Sequence, residues 1–284
     1  MKKLFITILG LLVVLSCVQS PKSSQAETDE DLAEEQLGED QPFETKKYSY
    51  SYDNDKIEIS IDIDSPVSGN SLLVNAVREF ISEELGGTYT DKINKGKKLV
   101  NYYGEEFLKE LEGYKRENLE WGVAEEYLNG FYKKVKMTLK YETEKIITYI
   151  YEDEIYYNGA HGNENLFGVT FRKSDGRRFG QDMMRNLQSD GMHQLTKEGL
   201  KKYFTNFSQE NVLTDSELKD YILTEDDVNY LPLPNHAPYV TKQGVEFTYQ
   251  PYEISFYGAG MPSFVVSIGN LRPYLTATAL DMLE

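Results

Sequence analysis

The chain has 284 residues, 40% hydrophobic and 13% aromatic, enough apolar mass for a substantial core, which excludes a disordered protein. Its 47 acidic and 30 basic residues give a formal charge of −17. That balance argues against nucleic acid and anionic membrane surfaces as partners, and suits a basic protein. Tyrosine dominates the aromatics, with 22 Tyr against 13 Phe and one Trp. A Tyr ring can bury while its hydroxyl stays wet, which fits amphipathic strands and recognition surfaces alike.

Lys2 and Lys3 precede the apolar run Leu4 to Leu15, a leader pattern too short to span a bilayer. The run ends in Val14-Leu15-Ser16-Cys17, which resembles a bacterial lipobox. The resemblance implies removal of residues 1–16, lipidation of Cys17 and an extracytoplasmic chain held to a membrane only by that lipid. It leaves open which membrane and leaflet carry the anchor. The alternative is ordinary secretion with cleavage elsewhere. Cys17 is the only cysteine, so no intramolecular disulfide exists and the fold relies on its core. Losing Lys2 and Lys3 makes the mature chain two charges more negative. Residues 17–45 are rich in Ser, Gln, Asp and Glu and read as an acidic flexible tether, reaching roughly 30 Å as a coil.

The folded part begins near Lys46 and divides into an N-terminal region, 46–130, and a C-terminal region, 131–284, forming one domain or two. Ile57, Ile59, Ile61 and Ile63 alternate with polar residues, the period of a half-buried strand that Ser65 to Gly69 should break. Asn70 can cap a helix with Leu73, Val77, Phe80 and Ile81 on one face, ended by Gly86-Gly87. Val100, Tyr103, Phe107, Leu111 and Tyr114 carry a second helical period across Gly104, an unfavourable residue there. Trp121 to Gly130 fits helix and loop equally. Val135 to Tyr141 and Ile146 to Tyr157 make an antiparallel hairpin, Leu166 to Phe171 a further strand, and Gln181 to Leu223 a helix-rich insertion. Pro232, Pro234 and Pro238 form a rigid extended approach to a last hairpin. In that hairpin Val245, Phe247 and Tyr249 should point inward, Pro251 should end the strand, and Phe264 to Ile268 should return. Blocks of strands and helices with antiparallel hairpins give an α+β fold, antiparallel sheets with helices packed on one side.

Metal and cofactor chemistry finds no support. His161, His193 and His236 lack HxxxH or HExxH partners, and there is no cysteine cluster, GxSxG, P-loop or GxGxxG. A catalytic carboxylate pair cannot be singled out in so acidic a chain. His161, set between residues that favour a turn, is suited to hydrogen-bonding that turn, with the bond fixing its tautomer.

Tyr156-Tyr157-Asn158-Gly159-Ala160-His161, together with Gly244-Val245-Glu246-Phe247 through Tyr252-Glu253-Ile254 to Tyr257-Gly258-Ala259-Gly260, resembles the RsiV-like family of extracytoplasmic domains of unknown function. Such domains form the outer part of a lysozyme-sensing anti-sigma factor and an appendage of some peptidoglycan deacetylases. The similarity covers most of residues 46–276. Asn158 replaces a usual glycine but tolerates left-handed backbone, and Val266-Ser267-Ile268 replaces a proline-containing strand end. A sigma-binding segment, a transmembrane helix and a deacetylase domain are absent from the pattern, so those activities do not carry over. The resemblance implies a non-catalytic, lipid-anchored envelope protein without cofactor or metal. Its ligand would be a basic lysozyme-like muramidase or peptidoglycan, met by Asn158, His161, Tyr252, Glu253 and Tyr257. Tyr252 and Glu253 stand equally as buried residues that fix the corner. The runner-up is an enzyme acting on envelope glycans, or its accessory subunit; a purely structural role is a third reading.

Overall fold

The computed structural model describes residues 36–38, 41–209, 212–223 and 227–284; the leader, Cys17 and the tether up to residue 35 lie outside them. In chain order the elements are β1 (Gln36–Leu37), β2 (Glu44–Asp53), β3 (Ile57–Gly69), α1 (Ser71–Glu84) and α2 (Gly96–Glu120). Next come β4 (Phe131–Glu142), β5 (Ile146–Tyr156), β6 (Asn163–Arg172), α3 (Asp190–Ser208) and α4 (Asp215–Leu218). The chain finishes with β7 (Tyr239–Thr241), β8 (Gly244–Thr248), β9 (Ser263–Val266), α5 (Ile268–Leu271) and α6 (Ala277–Leu283). The fold is α+β with mostly antiparallel sheets. No helix among the described residues is long and apolar enough to cross a membrane.

The large sheet places β3, β4, β5 and β6 side by side, with β2 antiparallel along β3 and β1 parallel to its last residues. Strands β3 and β4 run parallel, which requires a crossover, and α1 with α2 supplies it. The sheet therefore crosses the division at residue 130, and the described residues belong to one unit. Ile57, Ile59, Ile61 and Ile63 pack under Val77 and Phe80 of α1 and Val100, Tyr103 and Leu111 of α2. Asn70 caps α1 by accepting the Leu72 amide at 2.9 Å. Gly104 sits mid-helix because the Tyr50 ring of β2 fills its place: a Cβ there would lie 2.3 Å from that ring. Close helix–sheet approach outweighs the roughly 1 kcal/mol helix penalty of glycine.

A second core lies on the other face of β5 and β6. Along β5, Ile147 and Tyr149 enter the first core while Ile146 enters the second, as a period of two demands. The small sheet β7–β8–β9 docks there through Thr170, whose hydroxyl accepts the Val240 amide at 2.8 Å and lies 2.8 Å from the Thr148 hydroxyl. At Gly168 a Cβ would meet the Tyr239 ring at 2.2 Å, so β6 needs glycine to let β7 approach.

Two sequence expectations are corrected. Ser65 to Gly69 does not break the strand: β3 continues to Gly69, with Pro66 opposite Thr45 of β2. Pairing with β4 stops at Ile63, so no ladder on that flank asks for the amide Pro66 lacks. Phe264 to Ile268 is not one strand: β9 ends at Val266, and the Ser267 side chain caps α5 by accepting the Asn270 amide at 3.3 Å.

Candidate functional site

Two turns meet beyond one end of the large sheet. One is the β5–β6 connection, residues 157–162, where Asn158 takes φ 68°. Asn158 is half-buried and contributes backbone shape; its side chain makes no hydrogen bond among the described residues. The other turn follows β8. There the Gln250 side chain accepts the Leu166 amide at 3.1 Å and donates to the Leu166 carbonyl at 2.8 Å. It thus imitates a neighbouring strand and ties the corner to the edge of β6.

Glu253 is a corner-fixing residue. Its Oε2 accepts the Gln250 amide at 2.7 Å and its Oε1 the Asn235 amide at 2.5 Å. One carboxylate therefore closes the turn and pins the proline-rich approach, helped by Tyr249, whose hydroxyl donates to the Pro232 carbonyl at 2.6 Å.

His161, Tyr252 and Tyr257 form the surface. The His161 ring stacks on Tyr257 with centroids 3.7 Å apart and planes inclined 20°. Its Nδ1 lies 2.7 Å from the Gly162 carbonyl and its Nε2 3.2 Å from the Tyr252 hydroxyl. A carbonyl only accepts, so Nδ1 carries the proton and Nε2 accepts from Tyr252 when the ring is neutral. The Tyr257 hydroxyl donates to the same carbonyl at 2.7 Å. Tyr252 takes φ 67° while 57% of it stays exposed. Beneath them Tyr132 and Tyr156 stack at 5.7 Å, with Glu154 and Glu164 near Tyr132 and Glu164 near Tyr257. Burial, then the Glu164 charge, pushes the Tyr257 hydroxyl up. The result is an aromatic platform with a carboxylate fringe. Phe256, 38% exposed, extends it toward Phe207, its ring neighbour at 6.2 Å.

The helix-facing side of β5 and β6 holds a group that no motif marks. The Asn165 amide donates to Asp153 at 2.7 Å. Tyr151 stacks on Phe167 at 4.8 Å, and Phe167 on His236 at 4.3 Å. Burial raises the Asp153 and Glu84 carboxyls above the usual range, and lowers His236 against a smaller opposing pull from Glu253. The residues come from α1, β5, β6 and the loop before β7, so no sequence spacing unites them. No group of three or more His, Cys, Asp or Glu that could hold a metal ion occurs among the described residues.

No family model matches the chain, and no curated protein matches it. Solved structures do. A member of the DUF3298 family from Bacteroides fragilis superposes with a TM-score of 0.62 at 17% identity, covering 86% of this chain and 98% of the other. A DUF3298 family protein from Pseudomonas aeruginosa gives 0.53 at 12% identity, covering 83% and 94%. At these identities the likeness is one of architecture, and this chain has the fold seen in DUF3298 proteins.

Proposed function

We propose that this is a lipid-anchored, extracytoplasmic binding protein of the bacterial envelope that recognises a basic lysozyme-like protein without chemistry of its own. The observation that carries the reading is Tyr252. A bulky residue at positive φ is strained, and glycine would adopt that backbone freely. The ring is mostly exposed, so the core does not require it. A tyrosine kept at a strained surface position beside His161 and Tyr257 is suited to contact with a partner, where aromatic rings give area at small entropic cost. The fringe of Glu154 and Glu164 and the overall acidity supply charge complementary to a basic ligand.

The expected result is saturable binding of a basic muramidase, with an association rate that falls steeply between low and physiological salt. Tyr252→Gly should weaken binding at least about tenfold, while stability holds or rises by about 1 kcal/mol as the strain is relieved. Titration of the parent and the variant, with muramidase activity followed in parallel, checks both. No binding at either salt, with muramidase activity untouched, removes the lysozyme reading.

The anchor is tested separately. Cys17→Ser should abolish lipid labelling and release the chain from membranes; unchanged fractionation and labelling would show that the lipobox reading fails.

Glu84 and Asp153 favour one second reading, an enzyme acting on envelope glycans, because raised carboxyls are the proton donors such chemistry uses. Turnover of purified peptidoglycan, lost in Glu84→Gln or Asp153→Asn, would establish it; absence of turnover in the parent removes it.

A further inference from the structure

We infer that this chain associates with a second copy of itself, by pairing the outer edge of β2 antiparallel with the same edge of the other copy. Among the described residues β2 has one strand neighbour, β3. The Asn54 amide donates to the Ile57 carbonyl at 3.2 Å, which fixes the alternation along the strand. Even-numbered residues of β2 turn their amides and carbonyls to β3, and odd-numbered ones turn theirs outward. Lys97 of α2 agrees: its ammonium donates to the Ser49 carbonyl at 2.9 Å, so that carbonyl is not spent on β3. Lys47, Ser49, Ser51 and Asp53 are all exposed, and the register shift in the β2–β3 ladder falls at Glu44/Thr45, before them. Lys47 to Asp53 is therefore a regular edge, without the proline or bulge that would turn away an added strand. The other long edge, that of β6, is already met by Gln250 at Leu166 and by Phe179 at Thr170.

The residues along that edge decide the occupant. Lys47-Tyr48-Ser49-Tyr50-Ser51-Tyr52-Asp53 reads the same in both directions except at its ends, where a cation answers an anion. Paired antiparallel about Tyr50, Lys47 faces Asp53 of the second copy and Ser49 faces its Ser51. Each such pair exchanges two backbone hydrogen bonds. On the other face Tyr50 meets Tyr50 and Tyr48 meets Tyr52, aromatic cross-strand pairs of the kind that stabilise a sheet. Backbone pairing and tyrosine burial supply the energy, since exposed ion pairs contribute little. The Lys47–Asp53 contacts choose the register, because a slip of two residues either way loses both. An unrelated strand would find the same backbone groups but not this match at every position. A two-fold pair also closes on itself and leaves neither copy's β2 edge free. The α2 helices, which pack over β2 and β3, come side by side across the axis and enlarge the contact. Lys97 guards the Ser49 carbonyl in the single chain, as lysines do at strand edges. Its flexible side chain withdraws when the Ser51 amide of the second copy takes that acceptor.

The net charge of −17 opposes self-association. The test is therefore sedimentation equilibrium of the full chain at physiological salt, where that repulsion is screened, in reducing buffer, which excludes a disulfide through Cys17. A monomer–dimer equilibrium with a Kd below about 100 μM is expected. Ser51→Pro removes an outward amide without touching the β3 ladder, and should weaken association at least about tenfold. Lys47→Asp and Asp53→Lys, each alone, set like charges opposite one another and should weaken it by a similar factor. An equimolar mixture of those two variants, or both changes in one chain, should return to within about threefold of the parent. Opposite signs meet again there only in the register centred on Tyr50. Asp53 also accepts the Asp55 amide at 3.2 Å, so thermal unfolding checks that each variant keeps the β2–β3 turn. Lys47→Asp and Ser51→Pro carry the test if Asp53→Lys melts early. Hydrogen exchange should slow with concentration at the amides of Lys47, Ser49, Ser51 and Asp53. A chain that stays monomeric up to about 500 μM, association indifferent to Ser51→Pro or Lys47→Asp, folded charge variants that mixing does not rescue, or outward amides already protected in the monomer would each overturn the inference.

Discussion

Phe247→Ala should lower stability by about 3–5 kcal/mol, the cost of emptying a large aromatic from a packed core. Phe247 is 1% exposed and lies face to face with Phe264, centroids 5.0 Å apart and planes at 9°. Phe264 in turn presses on α3 at Gly199, where a Cβ would fall 2.3 Å from the ring. Removing Phe247 therefore unloads one side of a ring whose other side is wedged against a helix, and neither neighbour can collapse cheaply into the void. At roughly 2–4 °C per kcal/mol for a chain of this size, the melting temperature should fall by about 10 °C. Because β5 sends Ile146 to one core and Ile147 and Tyr149 to the other, the loss should move a single calorimetric transition. Leu72→Ala, at a side chain 58% exposed, should stay within about 0.5 kcal/mol of the parent. A melting temperature unchanged by Phe247→Ala would remove β8 from the core.

What the sequence made legible follows from what is local. The isoleucine alternation marked β3 because a period of two needs no partner to be seen, and Asn70 marked the start of α1 because a cap is a one-turn interaction. Pro66 misled because its tolerance depends on where β4 stops pairing, a fact held 70 residues away. Ser267 misled because Val266 and Ile268, two good strand formers, flank a serine whose capping role appears only once α5 is formed. The candidate site was half legible. The His161 turn and the Tyr252 corner each carry a local signature, but their meeting depends on β6 lying beside the corner, through Gln250 and Leu166. Glu84 and Asp153 gave no signal at all, since burial is a property of the assembled layers.

Glu253→Ala should destabilise the chain by about 2 kcal/mol, the usual scale for backbone amides that lose a charged acceptor where water can partly replace it. The amides of Gln250 and Asn235 both lose their carboxylate, so the corner and the proline-rich approach should loosen together. Glu253→Gln keeps one accepting oxygen and should fall between parent and alanine. The effect on pH dependence has a definite sign. Burial holds His236 below its ordinary value of about 6.5, and the Glu253 charge partly opposes that. The unfolded chain therefore binds the His236 proton more readily than the folded chain, and stability falls as pH drops below about 6.5. Without Glu253 the His236 value should drop further, so stability should fall over a wider range of acid pH. NMR titration of His236 alongside urea unfolding at pH 7 and pH 5 reads both quantities. Tyr252, between Gln250 and Glu253, should lose its fixed pose, so muramidase binding should weaken together with stability. Tyr252→Gly, by contrast, should weaken binding alone. If Glu253→Ala leaves the His236 titration and the unfolding midpoints unchanged, the carboxylate does not hold the corner, and Glu253 returns to the candidates for direct contact with a ligand.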